Sequence, residues 1–102
     1  KRLAAPASVD SIPSSAMQED HVSMGWHAAR KLRTLTENLQ RILAIELVTA
    51  ARAIELRAPL EPSPATKKVI TALREHVPGP GGDRFLAPEL AAAEQVVRSL
   101  TP

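Results

Sequence analysis

The stretch Ile42-Leu43-Ala44-Ile45-Glu46-Leu47-Val48 decides the fold. Apolar residues here are consecutive, so on a helix they point almost all the way round. A helix of that kind is buried on several sides. Upstream, Leu32, Leu35, Leu39 and Ile42 recur three and four apart, and Leu43, Leu47, Ala50 and Ile54 form a second such row. That is the period of an α-helix and not of a strand. No proline interrupts the pattern before Pro59. Glu46 is expected at the exposed edge of the run.

Following the pattern outward, a helix over 15–58 is expected. Ser15-Ala16-Met17-Gln18 fits a capping box, in which a hydroxyl accepts a main-chain N–H and the Gln reaches back. Glu19 and Asp20 would then lie in the first turn, where the helix dipole favours negative charge. Gly25 would be a weak point inside the helix. From Gln18 to Arg57 such a helix measures about 60 Å, whereas a compact domain of this length is only about 35 Å across, judging from its expected radius of gyration. The helix therefore overhangs anything its own chain can build, and a bundle supplied largely by other polypeptide is expected.

The flanks are simpler. Residues 1–14 carry Pro6 and Pro13 and no periodicity, and read as an extended loop. Residues 59–102 read as two shorter helices. Ser63-Pro64 is a capping residue followed by a first-turn proline, with Val69, Ile70, Leu73 and Val77 on one face. Pro78-Gly79-Pro80-Gly81-Gly82 stops that helix and lacks the spacing of a phosphate loop. Pro88 opens the last helix, with Glu89 in its first turn and Leu90, Ala93, Val97 and Leu100 as its apolar face. No strand pattern appears, so the fold class is all-α: one very long bundle helix and two shorter helices, part of a larger helical assembly.

Composition excludes several functions. Of the 102 residues, 13 are Lys or Arg and 11 are Asp or Glu, for a net charge of +2. The basic run Arg30-Lys31-Leu32-Arg33 spreads around a helix and reads as a solvated face. With one Trp and one Phe, there is little to stack bases, so no nucleic-acid partner is expected. No apolar run reaches the roughly 18 residues of a membrane span and no signal peptide is visible, so no membrane partner is expected. The absence of cysteine removes disulfide and thiolate chemistry and suits a reducing compartment. The chain opens on Lys1-Arg2 and reads as a piece of a longer product.

The polar run Gln18-Glu19-Asp20-His21 concentrates chemistry in four residues. His21 and His27 are six apart, which does not place both on one helical face. Asp20 and His27 can share a face, but two ligands do not make a metal site, and no metal is expected. His76 reads as a structural residue near a helix C-terminus. On the residues alone, helix capping is the simpler account of Gln18-Glu19-Asp20. A carboxylate at the mouth of a bundle is also a place to hold a polar ligand.

Three blocks then carry a resemblance: Ser8-Val-Asp-Ser-Ile-Pro-Ser-Ser15, Gln18-Glu-Asp-His-Val-Ser-Met-Gly25 and Ala28-Ala-Arg-Lys31. Together with Leu43–Leu47, Leu56-Arg-Ala-Pro-Leu60 and Asp83-Arg-Phe-Leu-Ala-Pro88, they resemble the C-terminal part of the histidine ammonia-lyase family. The resemblance implies a homotetrameric, cytoplasmic enzyme built on a bundle of long helices. It implies removal of ammonia from L-histidine to give trans-urocanate, in histidine degradation. The family's electrophile, a 4-methylideneimidazole-5-one (MIO), forms from an internal Ala-Ser-Gly. This chain has Ala7-Ser8-Val9 instead, so the resemblance puts that group in a missing N-terminal part, and the fragment alone is expected to be inactive.

One active-site residue is carried over by the resemblance: Glu19, as catalytic and substrate-binding carboxylate, with adjacent Gln18 as a substrate-binding neighbour. An ionised carboxylate can accept a hydrogen bond from an imidazole N–H, or a proton during elimination. Similar lyases and mutases acting on phenylalanine or tyrosine carry an amide where Glu19 stands, which favours histidine. Met17 stands where the family often has Asn, and Trp26 is bulkier than the family pattern. The alternatives are a tyrosine or phenylalanine ammonia-lyase or aminomutase, and a non-catalytic helical assembly module.

Overall fold

A computed structural model describes residues 1–19 and 21–100. Its elements are a short 3₁₀ turn at Arg2–Ala4 and three helices: α1 (Gly25–Glu55), α2 (Pro64–Arg74) and α3 (Ala87–Leu100). The all-α expectation holds, with one long helix and two shorter ones. The chain forms two compact units, Lys1–Asn38 and Leu39–Pro102.

The start of α1 corrects the capping-box reading. The helix begins at Gly25, ten residues after Ser15. Ser15, Ala16 and Met17 have φ of 51°, 57° and 66°, the opposite hand to a right-handed helix. Met24 provides the first helical acceptor, taking the Ala28 amide at 3.0 Å. The Ser23 hydroxyl accepts from the Gly25 amide at 3.3 Å, satisfying one of the donors a helix start leaves open. Gly25 is thus the first helical residue and not an interior weak point. No acidic residue lies in the first turn, so the dipole argument for Glu19 does not apply. The helix has 31 residues, about 46 Å, shorter than the sequence pattern suggests.

At its far end α1 tightens. Arg57 and Ala58 donate to Ile54 and Glu55 three residues back, and Pro59 has no N–H to continue the helix. Ser63 caps α2 as expected, accepting the Thr66 amide at 3.3 Å with Pro64 in the first turn.

The core of the second unit is built from Ala44, Ala51, Leu73, Val77 and Ala93. Leu47, Val48, Ile70, Ala92 and Val97 pack around it. The buried positions of α1 are therefore alanines, and its larger side chains lie beside them. Small residues let helix backbones approach, and Leu73 and Val77 fill the space between. Glu46 is exposed, as expected for the edge of the run. Ala50, placed on the apolar row by spacing alone, is exposed as well.

Much of the apolar pattern finds no cover within this chain. In the first unit Leu32 is 62% exposed and Leu35 is exposed. In the second, Ile42 is 59% exposed, and Leu39, Leu43 and Ile45 are exposed too. Among the described residues, no helix is long and apolar enough to cross a membrane.

Ion pairs tie the ends of the second unit together. Arg74 grips Glu55 at the end of α1 with two parallel bonds, Nε to Oε1 at 2.8 Å and Nη2 to Oε2 at 2.5 Å. Its Nη1 also donates to the carbonyls of Val77 and Pro78 at 3.3 and 2.9 Å, serving orphan acceptors beyond α2. Arg84 pairs similarly with Glu89 in the first turn of α3 and donates to the Gly79 carbonyl at 3.1 Å. Arg41 of α1 lies 3.8 Å from Glu94 of α3.

Two outcomes follow from this packing. Leu73→Ala should destabilise the second unit by roughly 2–5 kcal/mol, read as a lower urea midpoint. The hydrogen bonds from Arg74 outweigh partial burial and hold the Glu55 carboxyl below its ordinary 4.5. A depressed carboxylate stabilises the fold fully above that ordinary value and loses its contribution as pH falls through the lowered one. Stability should therefore decline below about pH 4.5, and Glu55→Gln should flatten that acid limb in thermal melts across pH.

Candidate functional site: the Ser11–Val22 hairpin

The polar run singled out in the sequence lies in a hairpin before α1. Ser14 and Glu19 form an antiparallel bridge. The Ser14 amide donates to the Glu19 carbonyl at 2.8 Å, and the Glu19 amide donates to the Ser14 carbonyl at 3.2 Å. The Ser14 hydroxyl donates to the same Glu19 carbonyl at 2.9 Å. Three residues further from the turn on each side, the Ser11 hydroxyl accepts the Val22 amide at 2.9 Å. The two contacts share one register. The outer contact is thus made by a side-chain oxygen and not by a backbone pair.

The turn itself is disfavoured by its residues. Left-handed backbone costs an L-residue roughly 1–2 kcal/mol, and three non-glycine residues adopt it in succession. Within the turn the Gln18 amide donates to the Ser15 carbonyl at 3.1 Å. Such a conformation persists only where the surroundings over-determine it, and the paired flanks of the hairpin do so.

Gln18 and Glu19 are therefore brought together at the closing edge of a turn, and both are exposed. The Glu19 carboxylate enters no ion pair among the described residues. Asp20 lies outside the described residues. His21 and His27 are exposed, and among the described residues no group of three or more His, Asp and Glu could hold a metal ion. Lys31 of α1 donates from Nζ to the Ala5 carbonyl, anchoring the segment before the hairpin. The sequence reading missed Ser11 and Ser14 as the residues that shape this loop. The signal available was Ser11-Ile12-Pro13-Ser14, two hydroxyls flanking a proline.

A second concavity lies in the C-terminal unit. It is a cleft of about 240 Å³ whose lining includes Arg52, Arg74, Arg84 and Glu89. Arg74 and Arg84 are already committed to Glu55 and Glu89. The pair holds Glu89 below and Arg84 above their ordinary values, in both cases chiefly by hydrogen bonding. These groups serve the fold.

The family model for aromatic amino acid lyases matches residues 1–75, and the chain belongs to that family. Within it, the chain is 72% identical over 99 residues to the histidine ammonia-lyase of Streptomyces avermitilis. It is 68% identical over 101 residues to that of Streptomyces griseus. Each alignment covers 96% of this chain and 19% or 20% of the relative. The crystal structure of histidine ammonia-lyase from Trypanosoma cruzi superposes with a TM-score of 0.89 at 41% identity, over 96% of this chain and 19% of that one. The chain thus spans about a fifth of the length of the relatives it matches.

Proposed function

We propose that this chain is the C-terminal part of a histidine ammonia-lyase, a cytoplasmic enzyme of histidine degradation that acts as a homotetramer. The observation that carries this is the high identity to histidine ammonia-lyases across nearly the whole chain. In the reaction the Cα–N bond of L-histidine breaks, a Cβ hydrogen leaves as a proton, and a Cα–Cβ double bond forms. The products are trans-urocanate and ammonia.

This chain has no Ala-Ser-Gly from which a methylidene-imidazolone could form. In this reading the rest of the enzyme supplies it as the electrophile. What this chain supplies is the Glu19 carboxylate. It accepts the imidazole N–H of the substrate and so fixes which end of histidine faces the reacting centre. In the same reading a carboxylate can also take up a proton during elimination. Gln18, beside it, contributes to holding the substrate. The uncovered apolar face of α1 supports the oligomer, because a contiguous exposed stripe of this kind marks an interaction surface.

In the complete enzyme, Glu19→Gln should lower turnover of L-histidine about a hundredfold or more, followed as urocanate absorbance. Near-normal turnover would remove Glu19 from the mechanism. With L-histidine, L-tyrosine and L-phenylalanine offered in parallel, only histidine should be consumed. Turnover of tyrosine in place of histidine would transfer the chain to a lyase or aminomutase for another aromatic amino acid.

A further inference from the structure

We infer that Ser14 is the positioning residue for Glu19. The inference rests on the reading of Glu19 above and assigns to a second side chain the task of aiming it. Both Ser14 donors converge on one atom: the amide at 2.8 Å and the hydroxyl at 2.9 Å both reach the Glu19 carbonyl. A carbonyl oxygen has two lone pairs, so the two donors occupy both. The return bond from the Glu19 amide to the Ser14 carbonyl fixes the other side of the same residue. With its N–H and C=O both pinned, the Cα–Cβ direction of Glu19 is set by its neighbour across the bridge.

The hydroxyl matters because little else holds this residue. Glu19 is exposed, so packing among the described residues of this chain does not orient it. The turn from Ser15 to Met17 is disfavoured by its own residues and would relax if the bridge loosened. The main-chain bonds would remain for any residue at position 14, whereas the third bond needs an oxygen on the side chain. Ser11 braces the hairpin further out through the Val22 amide. A shift of a reacting group by about 1 Å can lower a rate a hundredfold, so a modest loosening here is readable in kinetics.

The test uses the complete enzyme with Ser14→Ala, Ser14→Thr, Glu19→Gln and the double variant Ser14→Ala/Glu19→Gln. Ser14→Ala should lower kcat/KM for L-histidine about tenfold to a hundredfold, and Ser14→Thr, which keeps the hydroxyl, should restore most of it. In the Glu19→Gln background, Ser14→Ala should change little, because its effect passes through the carboxylate. Three results would overturn the role of Ser14: wild-type kinetics in Ser14→Ala, an equal loss with and without the Glu19 carboxylate, or a loss that follows disassembly in sedimentation. Full turnover by Glu19→Gln alone would defeat the reading of Glu19 itself, which separates the two failures.

Discussion

The second unit depends on the burial of Leu73 and Val77 against a surface made largely of alanine. Ala44 and Ala51 on α1 and Ala93 on α3 bring backbones close, and the two larger side chains are almost fully enclosed between them. Burying one such side chain is worth about 1.5–3 kcal/mol, so two of them cannot stabilise three helices by themselves. The arginine pairs at the helix ends supplement the core, and their guanidinium groups also donate to the carbonyls of Val77, Pro78 and Gly79. The larger apolar residues of α1 are mostly turned elsewhere. The unit is thus organised around its small residues, with its bulky ones left as an outer surface.

That division explains which parts of the fold were legible. The three helices follow from apolar spacing, and Ser63-Pro64 marked the start of α2 to the residue. Spacing located the apolar rows of α1 but could not say which row faces the chain's own core. Leu43, Leu47, Ala50 and Ile54 were grouped by period, whereas the buried positions are Ala44 and Ala51. A local pattern reports how apolar a face is; which face is covered depends on residues far along the chain, such as Leu73 and Val77.

The start of α1 failed for a related reason. Ser15 to Gln18 satisfies a capping box by type and spacing, and four residues cannot distinguish that from a tight turn. What decides between them is the pairing of Ser14 with Glu19 and of Ser11 with Val22. Those contacts are reciprocal across the turn, and Pro13 prevents them from reading as an ordinary strand. The family resemblance singles out Glu19 independently of the capping reading, because that signal attaches to the residue and not to its backbone conformation. The expectation that a helix dipole charges it came from the wrong local structure and goes with it.

The bridge that carries Glu19 uses the backbone of position 19 and the side chain of position 14. No described contact consumes the carboxylate. The ties to position 19 run through its main-chain N–H and C=O, so none of them depends on which side chain that position bears. A loop held in this way keeps its own shape separate from the chemistry of the side chain it presents.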